Sequence, residues 1–390
     1  MATSHEQEAR LQVVTTLSEV VDGVDALRAL VAQTLDRLGK APQLVLLFSS
    51  PHHTASWAAM LSLAHELMPD TLIAGCSASG VIGEGHEAEQ RVALAMWAIE
   101  MDGLEVNATH IRTGQDCTTS QALNETKAPE LAIIFADPMS ADLETLLPHL
   151  DHMWPEAQVV GGLASGGTAP GSHGLFLNGR YHRFGTLVVT LRGPFKADVL
   201  VAQGCRPIGE PMLVTQCSGG MIEQLAEQPP VQLLQELYQT LGARDQELFR
   251  HSLFAGVEMK DVVEYQRGDF LIRQITGAHP DSGSIQIGAE LKPWSVLQFH
   301  LRDARTSRDD LIERLQSLED KVVPQGALLF TCLGRGLHLY GRPDHDTDLI
   351  GDAFEGLPLA GFFAGGEIGP VGGVTYLHGY TSVVVLFAPA

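Results

Sequence analysis

Apolar positions recur at helical spacing over residues 17–38, which predicts an amphipathic helix in that stretch. The next apolar segment, residues 44–50, is short and uninterrupted, as is typical of a buried strand. Residues 49–67 then predict a helix that Ser50 caps, with a proline suited to its first turn. Residues 70–80 predict a second strand that runs into small residues, which completes a strand–helix–strand unit.

The same unit returns twice, over residues 131–167 and 326–366. In each copy the second strand ends in a turn with the pattern G-x-x-A-[SG]-G, at residues 75–80, 161–166 and 361–366. The spacing between the two strands of a copy fits a crossover helix, which requires the strands to be parallel. The three copies suggest duplication of one ancestral unit.

Local turn and cap signals predict three further elements. Asn178–Gly179 lies between two apolar runs and predicts a two-residue β-hairpin. Residues 231–242 predict a helix that ends at Gly242. Ser307 and Asp310 form a capping-box pattern, which predicts that another helix begins at Ser307.

These elements predict an α/β fold with two domains. Each domain is expected to hold a central mixed sheet flanked by helices, built from internally repeated strand–helix–strand–glycine-turn units. Pro229–Pro230 interrupts the pattern and places the domain border near residues 222–230. The first domain is predicted over residues 28–222 and the second over residues 228–385.

The composition restricts the class of partner. The formal net charge is -22, which repels phosphate backbones and anionic lipid heads, so nucleic acid and membrane surfaces are not expected partners. The five cysteines include no C-x-x-C pair, which argues against a disulfide framework and a zinc ribbon. The first ten residues lack the apolar core of a signal peptide, and no apolar run reaches transmembrane length. We therefore expect a cytoplasmic protein that does not insert into membranes.

Several motifs carry a resemblance to a known family: GCSASG at residues 75–80, VVGG at 159–162, CLGRG at 332–336, PLAGFFAGGEIGPVGG at 358–373 and LHGYTSVVVLF at 377–387. Together they resemble the paired FIST N and FIST C domains, named after F-box and intracellular signal transduction proteins. The resemblance covers nearly the whole chain. It implies a sensory module that binds a small polar ligand, such as an amino acid, and signals through a downstream protein. It implies no cofactor and no firmly attached enzymatic activity.

The glycine turns and the motifs after residue 326 hold the predicted ligand contacts. These are Gly75, Cys76, Ser77, Gly80, Gly161, Gly162, Ser165, Cys332, Arg335, Gly336, Gly365, Gly366, Glu367 and His378. Successive N–H groups in such turns can hold a carboxylate. Arg335 offers a second carboxylate partner and Glu367 a partner for an ammonium group. The competing interpretation is that the glycines only allow tight turns and close packing.

Two other functions remain open from the residues. Cys332 next to Arg335 suggests a hydrolase or transferase with a thiolate nucleophile, for which His338 or His378 would be the base. A scaffold without any ligand is the other alternative. No metal site is predicted, because the acidic stretch 344–355 has Leu349 where a calcium loop needs glycine.

Overall fold

The computed structural model describes residues 10–114, 117–260, 262 and 264–390. The chain forms two compact units. Unit 1 comprises Met1–Val201, Glu313–Leu377 and Thr381–Ala390, and unit 2 comprises Ala202–Ile312 and His378–Tyr380. Most of the stretch assessed for a signal peptide lies outside the described residues. Within the described part of the chain, no helix is long and apolar enough to cross a membrane.

The first repeat of unit 1 runs from β1 to β6. Its elements are β1 (Leu11–Ser18), α1 (Gly23–Leu38), β2 (Leu44–Ser49), a 3₁₀ turn (Pro51–Ser56), α2 (Trp57–Leu67), β3 (Leu72–Ser77), β4 (Gly80–Gly83), β5 (His86–Glu89) and β6 (Leu94–Met101). The first helix begins later than the apolar pattern predicts, because the Asp22 carboxylate caps it by accepting from the N–H groups of Val24 and Asp25. Ser50 lies at the N-cap of the 3₁₀ turn and Pro51 in its first turn, as predicted, but the Ser50 hydroxyl makes no capping bond and accepts from the Ala93 N–H instead.

The second repeat follows the same order. Its elements are β7 (Glu105–Ile111), a 3₁₀ turn (Cys117–Thr119), α3 (Gln121–Asn124), β8 (Leu131–Ala136), α4 (Leu143–Met153), β9 (Gln158–Leu163), β10 (Leu175–Leu177), β11 (Arg180–His182) and β12 (Thr186–Arg192). Asn178 has a φ of 51° between β10 and β11, which pair antiparallel. The predicted two-residue hairpin is therefore confirmed.

The third repeat is interrupted in sequence by unit 2. After β13 (Phe195–Ala202) the chain forms β14 (Cys205–Ser218), β15 (Met221–Leu225), α5 (Pro230–Thr240), α6 (Ala243–His251), β16 (Leu253–Glu258), β17 (Phe270–His279), β18 (Ser284–Ile287), β19 (Val296–Arg302) and α7 (Ala304–Glu319). The repeat then resumes with β20 (Gly326–Cys332), α8 (Gly336–Tyr340), α9 (His345–Ala353), β21 (Leu359–Ala364), β22 (Glu367–Val371), β23 (Val374–His378) and β24 (Ser382–Pro389).

Each repeat contributes to a six-stranded sheet, in the orders β1-β6-β2-β3-β10-β11, β7-β12-β8-β9-β22-β23 and β13-β24-β20-β21-β4-β5. The two strands of each predicted unit are parallel neighbours, which confirms the crossover. The hairpin after each unit joins a different sheet: β4-β5 joins the third sheet, β10-β11 the first and β22-β23 the second. The repeats therefore exchange hairpins in a cycle, which interlocks them.

The interlocked sheets share one aromatic core. Equivalent positions in β2, β8 and β20 hold Phe48, Phe135 and Phe330. In each strand the residue just before the phenylalanine pairs with the first glycine of the G-x-x-A-[SG]-G pattern. All three pack around Phe362, with ring centroids 5.2, 6.1 and 5.6 Å from its ring. Because these rings are buried, hydrocarbon fills the region where the three repeats meet.

Unit 2 contains a closed barrel with the strand order β14-β15-β18-β17-β16-β19. The predicted border near residues 222–230 lies inside this unit, between β15 and α5. Gly242 does not end α5 as expected; it is the N-cap of α6. The helix predicted to begin at Ser307 begins at Ala304, because Asp303 accepts from the Thr306 N–H at 2.8 Å.

Candidate functional site

Three glycines of the repeated turns lie inside strands at equivalent positions. Gly75, Gly161 and Gly361 are each opposite a residue of the neighbouring parallel strand, and a Cβ added there would lie 2.0, 2.0 and 1.8 Å from its carbonyl oxygen. Gly75 and Gly161 also have φ of 146° and 139°, which other residues rarely adopt. The pattern thus reports a close approach of two backbones, which supports the packing interpretation of these glycines.

The structure brings the three turns together through hydrogen bonds. The Ser165 N–H donates to the Ser77 carbonyl at 3.0 Å, and the Ser79 N–H donates to the Ser165 hydroxyl at 3.0 Å. The Ser165 hydroxyl in turn donates to the Phe363 carbonyl at 2.5 Å. These donors form hydrogen bonds between the repeats, so they do not form an open anion-binding site in this structure.

Most predicted contacts in the turns are also buried. The buried ones are Gly75, Cys76, Ser77, Gly80, Gly161, Gly162, Ser165 and Gly366, whereas Gly365 is exposed. A Cβ at Gly80 or Gly162 would lie within 2.8 Å of a side chain of β21. Burial raises the pKa of the Cys76 thiol well above its ordinary value, which disfavours the reactive thiolate.

Arg335 forms a buried ion pair rather than an open fork. Its side chain is fully buried, and its Nε and Nη2 lie 2.8 and 3.0 Å from the two carboxylate oxygens of Asp346. Asp346 also accepts hydrogen bonds from Thr331 and Ser382, at 3.1 and 2.8 Å. Although burial opposes it, the Arg335 guanidinium holds the pKa of Asp346 well below its ordinary value. The Nη1 atom of Arg335 has no hydrogen-bond partner among the described residues.

Glu87 connects β5 of the first repeat to α9 of the third. Its Oε1 accepts from the N–H groups of Asp346 and Thr347, at 2.9 and 3.0 Å, and so caps α9. Its own N–H donates to Asp344 at 2.6 Å. Burial, together with the nearby charge of Asp346, raises the pKa of Glu87 to about 8. We call Arg335, Asp346 and Glu87 the buried ion cluster.

The neighbouring loop holds Cys332 and Gly336. Glu89 accepts from the Leu337 N–H at 2.8 Å, and a Cβ at Gly336 would lie 2.3 Å from Glu89 Oε1. Gly336 has a φ of 58°, so glycine fits both the conformation and the space. Cys332 is half-buried at the end of β20, and its sulfur accepts from the Gly334 N–H. The candidate base His338 is exposed.

The other two predicted contacts are buried as well. Glu367 Oε2 accepts from the N–H and the hydroxyl of Thr381, at 3.0 and 2.7 Å, which ties β22 to the start of β24. His378 is assigned to unit 2, whereas the other predicted contacts belong to unit 1. Among the described residues, no group of three or more His, Cys, Asp or Glu side chains is placed to hold a metal ion.

A cavity that the sequence did not indicate lies in unit 1 between β1 and α9. Its volume is about 430 Å³, and we call it the groove. The residues that line it are Val13, Val14, Thr15, Arg37, Glu84, Gly85, Thr347, Ile350, Gly351, Gly356, Leu357, Pro358 and Leu359. Arg37 donates to the Thr15 carbonyl at 3.0 Å and forms an ion pair with Glu84 at 2.7 Å. The groove joins residues more than 300 positions apart, and β1 itself overlaps the stretch predicted as helix.

Thr347 links the groove to the buried ion cluster. It lines the groove, and its N–H donates to Glu87. Its hydroxyl is buried and has no hydrogen-bond partner within the described part of the chain. A molecule in the groove would therefore contact a residue that is hydrogen-bonded to the ion cluster.

Comparison with known proteins gives matches over most of the chain. The FIST N domain matches residues 43–228, and the FIST C domain matches residues 230–370. The uncharacterized protein Rv0628c of Mycobacterium tuberculosis is 37% identical over 354 residues, which cover 90% of this chain and 92% of that protein. The uncharacterized protein Mb0898c of Mycobacterium bovis is 35% identical over 360 residues, which cover 91% and 93% of the two chains.

Proposed function

The chain belongs to the FIST family, whose domains are considered sensory and signal-transduction domains, and we propose that it is a cytoplasmic sensor of a small polar ligand. The ligand would occupy the groove, and a downstream protein would read the result. An amino acid or a compound built from amino acids is the ligand class that this proposal favours.

The observation that carries the proposal is the groove and its chemistry. Its volume of about 430 Å³ falls in the range usual for ligand pockets. Its walls combine aliphatic side chains with an ion pair, Arg37–Glu84, and with Thr347, whose buried hydroxyl has no partner among the described residues. A few fixed polar groups in a largely apolar wall are what gives a small-molecule site its orientation and specificity.

The route by which a ligand would act runs through Thr347. A ligand that packs against Thr347 would bias the N-terminus of α9, which Glu87 caps. Because Glu87 lies in β5, a hairpin strand exchanged between repeats, the change would reach a second sheet. A ligand shifts a conformational equilibrium only when its affinities for the two states differ. Binding must therefore favour one arrangement of the contact between Glu87 and the N-terminus of α9.

The glycine turns and Arg335 remain the alternative location for the ligand. Arg335 Nη1 and the exposed Gly365 support this alternative. The groove is favoured over this alternative for two reasons. The Arg335 guanidinium is already paired with Asp346, and the N–H groups of the turns already donate hydrogen bonds between the repeats.

Calorimetric titration with a panel of amino acids, with two variants of one groove residue, tests the proposal. A Cβ at Gly351 meets nothing within 4 Å, so Gly351→Ala and Gly351→Leu both fit the backbone of α9. The wild type and Gly351→Ala should bind a ligand equally, whereas the larger side chain in Gly351→Leu should weaken binding at least about tenfold, or about 1.4 kcal/mol. Absence of binding across the panel at millimolar concentration, or unchanged affinity in Gly351→Leu, would refute the groove as the sensor site.

A further inference from the structure

We infer that the groove takes its ligand as a short extended peptide, which adds a strand to the edge of β1 that faces away from β6. This inference rests on the proposed function, since it names the ligand class of the same site. The peptide is a free oligopeptide of about three residues with aliphatic side chains.

The edge of β1 supplies the main-chain partners. In its sheet β1 is the terminal strand, and among the described strands it pairs with β6 alone, in antiparallel register from Leu11 opposite Met101. The Thr15 carbonyl accepts a hydrogen bond from Arg37, so it points to the groove side of the strand. In an antiparallel ladder, alternate residues direct both main-chain groups to the same side. Val13 therefore points its N–H and carbonyl toward the groove as well.

The composition of β1 differs from that of the equivalent edge strands. The sequence of β1, LQVVTTLS, contains no charged residue, whereas β7 starts with Glu105 and β13 contains Lys196 and Asp198. Charged residues on an edge strand prevent unwanted pairing with other chains. β1 lacks such charged residues, and its Val13 and Thr15 are almost fully buried beside the groove. This combination fits an edge that is accessible to a single short peptide and not to the strand of a folded protein.

The dimensions and the charges of the groove select the length and the kind of peptide. Three strand residues, Val13 to Thr15, span about 10 Å at about 3.4 Å per residue. Ile350, Leu357 and Leu359 also line the groove and suit aliphatic side chains. The Arg37–Glu84 ion pair offers both a guanidinium and a carboxylate to the charged terminus of a peptide. That complementarity favours a free oligopeptide over an internal segment of a protein.

This mode of recognition has a clear chemical signature. Strand addition takes affinity from main-chain hydrogen bonds and specificity from alternate side chains. Removing one peptide N–H that faces β1 therefore costs a hydrogen bond, without any change in side-chain chemistry. A free amino acid lacks the main-chain groups needed for pairing.

Titration of the full chain with defined probes tests the inference. The probes are the tripeptides made from Ala, Val and Leu, the three free amino acids, and tripeptides N-methylated at the second or the third residue. We expect at least one tripeptide to bind at least about tenfold more tightly than its free amino acids. We also expect N-methylation at one of the two positions, and not at both, to weaken binding at least about tenfold. Blocking both termini should reduce affinity if the Arg37–Glu84 pair holds a terminus.

Amide hydrogen exchange supplies a second readout on the protein. A bound tripeptide should slow exchange at the amides of Val13 or Thr15, whereas the Val106 and Ala108 amides, which face away from β12 in the equivalent strand β7, should not change. If amino acids bind and no tripeptide binds more tightly, the inference is wrong and the proposed sensor function stands. If neither class binds, the groove is not the sensor site. Equal binding of all N-methylated forms, without protection in β1, would also overturn strand addition.

Discussion

Glu87→Gln gives the sharpest test of the buried ion cluster. The pKa of Glu87 is raised from 4.5 to about 8, because its carboxyl is buried and lies near the charge of Asp346. The folded protein therefore keeps a proton on Glu87 between pH 4.5 and 8, whereas the unfolded chain releases it. Stability then decreases as the pH rises through this range, since the folded state binds more protons than the unfolded state. Glutamine has the shape of the protonated side chain and does not titrate.

The size of the effect follows from the two pKa values. One pKa unit corresponds to about 1.36 kcal/mol, so the rise from 4.5 to about 8 corresponds to at most about 5 kcal/mol. Asp346 acts in a different range, because its lowered pKa affects stability only as the pH falls below its ordinary value of 3.8. The variant and the wild type should therefore have similar stability near pH 4.5, and Glu87→Gln should be several kcal/mol more stable at pH 8.5.

Urea denaturation between pH 4.5 and 9 measures both curves. The wild type should lose up to about 1.36 kcal/mol per pH unit more than Glu87→Gln over the middle of the range. Glu355→Gln, an exposed substitution two residues after α9, is the matched control and should follow the wild-type curve. If Glu87→Gln keeps the wild-type slope, or is less stable than the wild type at pH 8.5, the assignment of a buried proton to Glu87 is refuted.

Two further predictions concern the glycines and Arg335. Gly75→Ala should lower the free energy of unfolding by about 3 kcal/mol or more, because the added Cβ would lie 2.0 Å from a carbonyl oxygen. Gly351→Ala is the control and should be neutral or stabilising in the same urea titration. Arg335→Met should cost about 3–5 kcal/mol because it leaves Asp346 buried without its cation, and Arg335→Met with Asp346→Leu should recover most of that loss. The exposed pair Arg342–Asp348 is the control, and Arg342→Met should leave the free energy of unfolding nearly unchanged. Equal losses in the two single variants would contradict the buried-charge argument.

The repeated units were predictable because their signals are local. A buried apolar run, a crossover of similar length and a glycine-containing strand end all appear within about 40 residues. The Asn178–Gly179 hairpin was predictable for the same reason, since the turn type requires positive φ. The starts of α1 and α7 were misplaced because apolar and capping-box patterns do not reveal which acidic side chain, Asp22 or Asp303, accepts the first N–H groups.

The candidate site was not predictable to the same extent, because its contacts join distant repeats. Arg335 was recognised as a carboxylate partner, but the carboxylate is Asp346 of the same chain. Glu87 carried no sequence signal, since its role depends on the hairpin β4-β5 pairing in the third sheet. Hairpin exchange is decided by packing among all three repeats, and no local pattern encodes it.

The cyclic exchange of hairpins also leaves one position at which the three repeats can differ in sequence. The first core strand of each repeat ends at an equivalent place, where Ser50, Asp137 or Cys332 stands two residues after the core phenylalanine. In the first repeat this end is held by the Ser50–Ala93 hydrogen bond, and in the second by the buried pair of Asp137 and His173, 3.0 Å apart.

In the third repeat the same strand end leads into the loop of Arg335, and the buried ion cluster holds it against an exchanged strand. The cluster reaches the groove through Thr347, so the third repeat couples a cavity to the joint between sheets. A duplicated fold can change one such end without disturbing the glycine contacts that all three repeats need. Sensing, as proposed, would then reside in the repeat whose strand end connects a cavity to an exchanged strand, while the aromatic core preserves the common architecture.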